Sequence, residues 1–355
     1  MDLFLLKDVA SNFCKELQES ERGIKTSLPF IIHQLPRFSL IKNQEIFQMI
    51  SIGGSISQNA LLRRENGRLM VLNKFTQEQP VFNTQKDLFN FLLDSLDPNI
   101  TKLALNFAYP LNPVFENNKL DGILLSGSKE NSFEGLINKK ICQQLEKFIL
   151  NKLNKEILIT AANDTICLLL SGLTKFNYEN LVGGVLGTGV NFAIFLGKER
   201  AVNLEVRNFD KFPISKEAKI VDKHSNHPGI GLFEKNVSGA YLYQLFNVGA
   251  KQNKIEEINS TKEMDLIIKK KKGQESLLAN SILQNSAQLF AAIVAGFALF
   301  KEKNINLVME GSLFWEGFGF KQNVENILEK MSPQYKINFE KIEDSTILGA
   351  AKLFG

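Results

Sequence analysis

Cysteine is scarce in this sequence, and the cysteines that occur do not have the spacing of a metal site or of a disulfide framework. Three cysteines, Cys14, Cys142 and Cys167, are spread over 355 residues. Cys14 and Cys142 fall in amphipathic helical patterns and Cys167 lies in an apolar run, so we expect three buried thiols. Reduced thiols are typical of intracellular proteins, and the sequence therefore predicts a cytoplasmic location.

An excess of one charge is also lacking. The chain carries 42 Lys and Arg residues against 38 Asp and Glu residues, which gives a net charge of +4. Charges of both signs are spread along the sequence, so it lacks the basic signature of nucleic-acid-binding proteins. The densest basic run, Lys269 to Lys272, is expected to be a solvated loop or helix end.

Long apolar segments are missing as well. The longest apolar run, Leu289 to Phe300, is too short by itself to span a bilayer. Met1 to Lys7 is apolar but lacks the basic start and the small-residue cleavage site of a signal peptide. We therefore expect a soluble protein with no membrane partner.

The sequence does contain a set of three strand patterns that occurs twice. The first set covers 46–52, 56–62 and 69–73, and Asn66-Gly67, a strong hairpin signal, precedes its third strand. The second set covers 181–186, 190–196 and 201–205. Because 355 residues exceed one ordinary core, we interpret the repetition as two α/β domains of similar plan.

Segments with helical periodicity precede and follow both sets of strands. A connection rich in Asn and Pro follows residue 107 and leads to the helix at 137–153. We interpret the whole as two ribonuclease-H-like, actin-like ATPase domains flanking a deep cleft. The predicted helices cover 2–18, 85–96, 137–153, 231–245, 275–302 and 345–353, and further strands cover 102–107, 156–160 and 306–309.

Glycine-rich turns occupy the same place in both strand sets. Gly53-Gly54-Ser55 and Gly187-Thr188-Gly189 each join two strands, and glycines without Cβ atoms let backbone N–H groups converge on an anion. A glycine turn is usually only a hairpin, so the matching positions are what favour phosphate binding. Glu310-Gly311-Ser312 can pack near a nucleoside or simply join a strand to a helix.

Short motifs follow one another in a fixed order along the chain. They are Asp121 to Leu125 with Ser128-Lys129, Asn163-Asp164-Thr165, Leu186 to Asn191, Asn203-Leu204-Glu205, Pro228 to Lys235, and Gly349-Ala350-Ala351. In this order they resemble the eukaryotic-type hexokinase and glucokinase family, over essentially the whole chain and with shorter loops. The resemblance implies a small domain at 44–161, to which the helix at 343–355 returns, and a large domain at 1–43 and 162–342.

The resemblance also implies an activity, the transfer of the γ-phosphoryl group of ATP to the 6-hydroxyl of glucose or a related hexose. Asp164 would take the hydroxyl proton and Lys129 would assist, although Asp164 alone can also be read as a helix N-cap. Mg²⁺ would be held mainly through ATP phosphates and water, with no protein ligand assigned. The implied hexose-binding residues are Ser128, Lys129, Asn163, Asp164, Asn191, Glu205 and Glu234, and the implied ATP-binding residues are Gly53, Gly54, Ser55, Gly187, Thr188, Gly189, Gly311 and Ser312.

Three positions depart from the family pattern. Ser51 stands where the family has an acidic residue that serves Mg²⁺, and serine cannot supply that charge. Gln58 replaces a basic residue soon after the first turn, and Ala108 replaces a serine before the aromatic-Pro pair. The sugar half of the pattern is therefore nearly intact, whereas the first phosphate turn is altered.

Other functions remain open besides an active kinase. A sugar sensor that binds hexose and signals without turnover is favoured by Ser51 and opposed by the retained Asp164. A different actin-like ATPase or acetate-type kinase is opposed by the Asn and Glu set. The bacterial repressor and sugar-kinase family is a further relative, but its zinc-binding cluster is missing, since His33, His224 and His227 lack accompanying cysteines.

Overall fold

The computed structural model describes residues 1–128, 130–270 and 272–355. The strands are β1 Ile31–Gln34, β2 Ile46–Ile52, β3 Ile56–Glu65, β4 Arg68–Glu78, β5 Lys102–Phe107, β6 Leu111–Glu116, β7 Lys119–Leu124, β8 Leu158–Ala162, β9 Leu181–Leu186, β10 Val190–Phe195, β11 Arg200–Asn203, β12 Ile305–Glu310 and β13 Ile337–Glu340. The helices are α1 Leu3–Glu21, α2 Gln85–Asp94, α3 Ile141–Leu153, α4 Asp164–Ser171, α5 Lys216–His224, α6 Leu232–Val237, α7 Gly239–Asn253, α8 Thr261–Lys270, α9 Gln274–Lys301, α10 Ser312–Glu316, α11 Phe320–Met331 and α12 Ser345–Ala351.

The chain divides into two compact units. The first unit comprises Met1–Phe30, Gly184–Phe192 and Leu204–Lys341, and the second comprises Ile31–Gly183, Ala193–Asn203 and Ile342–Gly355. The boundaries expected from the sequence, with a small domain at 44–161, stay a prediction.

The second unit contains a five-stranded sheet in the order β4-β3-β2-β5-β8. β2, β3 and β4 form an antiparallel meander, and the Asn66-Gly67 turn between β3 and β4 has the positive φ angles, 48° and 79°, that such a hairpin requires. β5 and β8 are added in parallel to β2, and Ser51 lies beside Asn106 in the register. The carboxyl ends of the three parallel strands therefore meet at one edge of the sheet.

Aromatic side chains fill the core of the second unit between the sheet and helices α2 and α3. Phe89 from α2, Phe107 from β5 and Phe133 from the connection between β7 and α3 are fully buried, together with Leu145 from α3. This core fixes both the carboxyl end of β5 and the loop around residue 130.

A second sheet has six strands in the order β1-β11-β10-β9-β12-β13. β11 pairs antiparallel with both β1 and β10, whereas β13 is added in parallel to β12. The turn between β9 and β10 is the second glycine turn of the sequence.

Helix α9 is the central helix of the first unit, and α1 packs along it. Phe13 of α1 makes edge-on contacts with Phe297 of α9 and with Phe209, at ring-centroid distances of 5.0 Å and 5.2 Å. The helices approach closely at Gly296, where an added Cβ would lie 2.8 Å from Phe13 Cδ1 and 2.9 Å from the Ala10 carbonyl oxygen.

Most predicted elements are present, with two corrections. No strand was predicted in the connection after β5, but it contains the hairpin of β6 and β7. The turn residues of this hairpin, Asn117 and Asn118, have left-handed backbone. The helix predicted at 231–245 is two helices, α6 and α7, and Ser238 between them has extended backbone. The α/β class and the two three-stranded openings are confirmed.

Helix α9 also bears on the expectation that no segment can span a membrane. The apolar run at 289–300 belongs to a helix of 28 residues, and among the described residues this helix alone is long and apolar enough to cross a bilayer. In its apolar window 78% of the residues are buried within the protein, as in the core helix of a globular domain.

The expectation of three buried thiols is confirmed for Cys142 and Cys167, while Cys14 is only partly buried. Burial raises the pKa of the Cys14 and Cys142 thiols, so both are less reactive than an exposed thiol.

The close packing of α1 on α9 predicts that Gly296→Val destabilises the protein. Overpacking of this kind typically costs about 1–3 kcal/mol, because Phe13 and the α1 backbone must move. We expect a lower midpoint of thermal unfolding by calorimetry. The control, Ser281→Val, places the same side chain on the exposed face of α9, and an equal loss of stability in both variants would contradict the close-packing explanation.

Candidate functional site

The second glycine turn is held by the first residues of helix α7. The Gly239 N–H donates to the Gly187 carbonyl at 2.7 Å, and the Ala240 N–H donates to the Thr188 carbonyl at 3.1 Å. Within the described part of the chain, the N–H groups of Thr188 and Gly189 make no hydrogen bond. The turn therefore offers two free donors, the arrangement that binds an anion.

Gly311 lies directly against this turn. An added Cβ would lie 2.1 Å from the Leu186 carbonyl oxygen and 2.7 Å from the Gly187 nitrogen, and φ is 109°. Only glycine fits both the space and the backbone conformation. The strand-to-helix turn after β12 thus packs against the glycine turn after β9.

A cavity of about 570 Å³ begins at the second glycine turn, in the size range of small-molecule sites. Ser312 lies on its wall, as predicted. Helix α8, which was not predicted from the sequence, supplies another wall. Burial raises the pKa of the Asp265 carboxyl on this helix. The lining residues are Gly187, Thr188, Gly239, Ala240, Ser260, Thr261, Lys262, Asp265, Leu266, Lys269, Ser312, Leu313, Glu316 and Gly317.

Three of the predicted hexose-binding residues lie together in the first unit. The Asn191 Nδ2 donates to Glu205 Oε1 at 3.4 Å, and the Val190 N–H donates to Glu234 Oε2 at 3.3 Å. The Asn191 Oδ1 accepts the N–H groups of Phe192 and Val206, at 2.8 Å and 3.4 Å. Backbone donors thus fix the orientation of the amide and of one carboxylate.

Arg207 joins this cluster and was not predicted from the sequence. Its Nε lies 3.4 Å from Glu205 Oε2, and Glu205 has left-handed backbone with φ of 47°. In the sequence Arg207 is an isolated polar residue a few positions after a strand, and nothing in the local pattern distinguishes it from an exposed surface charge.

Burial raises the pKa of the Glu234 carboxyl, and the neighbouring charge of Glu205 adds to this effect, while the Val190 N–H and Arg207 oppose it. Glu234 also lies on the wall of a cavity of about 340 Å³, together with Arg207, His227, Tyr241 and Gln244. The two carboxylates and the amide therefore form a polar site of mixed donors and acceptors.

The first glycine turn lies in the second unit, between β2 and β3. Gly53 approaches Ala108 so closely that an added Cβ would lie 2.3 Å from the Ala108 Cβ, and Gly54 has φ of 96°. Within the described residues, the N–H groups of Gly54 and Ser55 make no hydrogen bond. This turn, like the second one, leaves two donors available for an anion.

Ser51 and Asn106 form a neutral pair beside the first turn. The Asn106 Nδ2 donates to Ser51 Oγ at 3.1 Å, and the two residues are 4% and 8% exposed. Asn106 Oδ1 is buried and has no hydrogen-bond partner among the described residues. The edge of the sheet therefore carries one hydroxyl and one unsatisfied amide oxygen beside the first turn.

Asn163 and Asp164 begin helix α4, and the N-cap is Asn163 and not Asp164. Asn163 is the N-cap, because its Oδ1 accepts the Ile166 N–H at 3.0 Å. Reading Asp164 as the N-cap is therefore wrong. Asp164 is the first helical residue, its Oδ1 accepts the Thr165 N–H at 2.8 Å, and no cation pairs with it in the described ranges.

Ser128 lies in the loop after β7, where its carbonyl accepts the Asn131 N–H at 3.0 Å. Lys129, predicted to assist catalysis and to bind hexose, lies outside the described residues. The second unit therefore holds the first turn, Asn163, Asp164 and Ser128, and the first unit holds the second turn with Asn191, Glu205 and Glu234. Their roles stay predictions.

Solved structures with the same fold support the fold prediction. A hexokinase from Schistosoma mansoni, solved with glucose, aligns with a TM-score of 0.74 at 16% identity, over 100% of this chain and 96% of its own. Another hexokinase structure gives 0.79 at 17% identity, over 99% and 96%. The fold is that of proteins with two actin-like ATPase domains, as the sequence predicted.

Sequence comparisons give the family. The model of the family described as Hexokinase matches residues 181–252 and 247–354. A hexokinase from Emericella nidulans is 22% identical over 70% of this chain, and hexokinase-2 from Saccharomyces cerevisiae is 24% identical over 68%. In both cases the match spans 57% of the relative. This chain belongs to the hexokinase family.

The raised pKa of Glu234 predicts how Glu234→Gln changes stability. A carboxyl whose pKa is higher in the folded state stabilises the fold in full only below its unfolded-state pKa, and this contribution is lost as the pH rises through the folded-state pKa. In the absence of ligand, Glu234→Gln should therefore unfold at a higher temperature than the wild type at pH 8.

The difference should shrink as the pH is lowered towards 4.5, the ordinary value for glutamate. Calorimetry across this pH series checks it, with exposed Glu256→Gln as the matched control. A wild type more stable than Glu234→Gln at pH 8 would show that the ionised carboxylate is well satisfied.

Proposed function

We propose that this chain is an ATP-dependent hexose kinase that transfers the γ-phosphoryl group of ATP to the 6-hydroxyl of glucose or a related hexose. One observation carries the proposal. Asn191, Glu205 and Glu234 form a polar cluster joined through Val190 to the glycine turn, and that turn opens the cavity of about 570 Å³. Membership of the hexokinase family supports the same activity.

Hexose recognition follows from the chemistry of hydroxyl groups. Each hydroxyl donates one hydrogen bond and accepts others, so a sugar site needs carboxylates and amides at several angles. Glu205 and Glu234 accept from hydroxyls, and the amides of Asn191 and Asn163 both donate and accept. The buried Glu234 would regain, from sugar hydroxyls, hydrogen bonds that it lost to burial.

Asp164 is the proposed general base. At the first position of α4 its carboxylate is favoured by the helix N-terminus. Its Oδ2 makes no hydrogen bond within the described part of the chain, so this oxygen is available to take the proton from the 6-hydroxyl. Lys129 and Ser128 are assigned to the same side of the hexose by family resemblance.

Phosphate binding falls to the two glycine turns and to the cavity beside the second. The free N–H groups of Gly54, Ser55, Thr188 and Gly189 match the charge of phosphate oxygens without any side chain. Ser312, Thr261 and Asp265 would face the nucleoside in the cavity.

Mg²⁺ is the metal expected with ATP, and the residues of the second unit fit it in a limited way. Mg²⁺ prefers oxygen ligands and keeps several waters. The unsatisfied Asn106 Oδ1 and the Ser51 hydroxyl can accept from a water shell. The bound metal would neutralise phosphate charge, and ATP itself would supply most of its ligands.

A sugar sensor without turnover is the second candidate, and the neutral Ser51–Asn106 pair favours it. One assay separates the two functions, namely ADP formation with Mg²⁺-ATP in the presence of glucose, mannose or fructose. We expect hexose-dependent ADP formation. Thermal stabilisation by hexose with no turnover for any sugar would leave the sensor.

Asp164→Asn tests the assigned base in that assay. Loss of a general base should lower kcat by about 10²–10⁴-fold, while hexose still raises the midpoint of thermal unfolding. The control is Asp94→Asn, an exposed aspartate of the same unit. Full activity in Asp164→Asn would remove the base assignment.

Ser51→Asp tests the altered turn. The new carboxylate would sit beside the Asn106 Nδ2, which can donate to it, and would hold the metal's water shell by charge. We expect a higher kcat and half-maximal activity at a lower Mg²⁺ concentration. Ser281→Asp on the exposed face of α9 is the control, and a slower Ser51→Asp enzyme would show that the first phosphate turn is misassigned.

A further inference from the structure

Gln79, just beyond the end of β4, holds the first glycine turn from both sides. Its Oε1 accepts the Gly53 N–H at 2.9 Å, and its own backbone N–H donates to the Ser55 carbonyl at 2.9 Å. One residue thus fixes the beginning and the end of the turn. The two N–H groups between these contacts, those of Gly54 and Ser55, are the ones left for a phosphate.

The side-chain orientation of Gln79 is set in turn by Tyr109. The Gln79 Nε2 donates to the Tyr109 hydroxyl at 3.3 Å. The tyrosine is 3% exposed, and its ring packs against Phe107 and Phe133 at centroid distances of 4.9 Å and 4.7 Å. The hydroxyl is therefore held by a rigid aromatic cluster and not by a mobile side chain.

The same hydroxyl accepts a second hydrogen bond, from the loop that carries Ser128. The Asn131 Nδ2 donates to the Tyr109 hydroxyl at 2.9 Å. Asn131 is 5% exposed, its Oδ1 accepts the Phe82 N–H at 2.6 Å, and its N–H donates to the Ser128 carbonyl at 3.0 Å. Four consecutive hydrogen bonds thus lead from Gly53 through Gln79, Tyr109 and Asn131 to Ser128.

We propose that the Tyr109 hydroxyl is a positioning group that couples hexose binding at the Ser128 loop to phosphate binding at the first glycine turn. The inference rests on the proposed function, since it takes the two ends of the path as ligand sites. A hexose that shifts Ser128 changes the hydrogen bond from Asn131 to Tyr109, and through Gln79 it changes how the turn that carries the Gly54 and Ser55 N–H groups is held. The path lies within one compact unit, and the hydrogen bond at its centre, from Asn131 to Tyr109, is buried and therefore costly to leave unmade.

Coupling between two ligands has a measurable definition. It is the factor by which one ligand changes the affinity for the other, typically about 5–150-fold, and it must be the same in both directions. A residue that only stabilises the fold lowers both affinities or the amount of folded protein. A residue that transmits coupling lowers the factor itself.

Tyr109→Phe removes one oxygen and retains the ring, which makes it the sharpest test. Calorimetric titration gives the dissociation constant of glucose with and without Mg²⁺-ADP, and that of Mg²⁺-ADP with and without glucose. We expect a wild-type coupling factor above one that falls towards one in Tyr109→Phe, while each ligand alone binds within about twofold of the wild type. The twofold limit is well below the usual range of coupling factors.

Tyr178→Phe is the matched control, since Tyr178 is a partly buried tyrosine of the same unit and lies far in the sequence from the first glycine turn and from Ser128. Gln79→Leu breaks the path at another point and should lower the coupling factor equally, which keeps the proposal testable if Tyr109→Phe does not fold.

Unchanged coupling in either folded variant overturns the proposal. Failure of the wild type to bind any hexose overturns the proposed function as well, whereas hexose turnover with intact coupling in Tyr109→Phe overturns only the coupling path.

Discussion

The hydrogen bonds between the start of α7 and the second glycine turn determine how the backbone packs around that turn in the first unit. Gly239 and Ala240 donate their N–H groups to the carbonyls of Gly187 and Thr188. Once its carbonyls are bound from one side, the turn presents its own N–H groups on the other. The break between α6 and α7, the glycine at position 311 and the mouth of the cavity all follow from this contact, since each brings backbone close to the turn.

Local pattern was enough to predict the strands and turns of both openings. β2, β5 and β9 have the bounds that apolar runs and flanking glycines indicate, and Asn66-Gly67 forms the expected hairpin. The hairpin of β6 and β7 was missed, because Pro113 lies within a strand and the turn uses two asparagines. The local signal for the break is the Ser238-Gly239 dipeptide, but the carbonyl that accepts the Gly239 N–H lies about fifty positions away in the sequence.

The candidate site was predictable to the extent that its residues form short motifs. The glycine turns and Asn163-Asp164 fall in such motifs, and the sequence pattern places them correctly at the ends of strands. Arg207 and Asp265 are isolated polar residues whose position only the fold reveals. Asn163 shows the converse, because a residue that was predicted to bind hexose caps α4, and its Oδ1 already accepts one hydrogen bond.

The polar cluster in the first unit and the first glycine turn in the second unit differ in how charge is balanced. In the first unit two carboxylates lie near one guanidinium, and burial of Glu234 gives up stability that sugar hydroxyls can restore on binding. In the second unit Ser51 and Asn106 are neutral, so under the proposed function the phosphate charge beside the first turn would be met by backbone N–H groups, without a carboxylate at position 51. A neutral turn cannot rely on long-range attraction, and its donors must already point correctly when the phosphate arrives. Gln79 holds that turn at both ends, so the turn has fixed donor directions where it has no charged side chain.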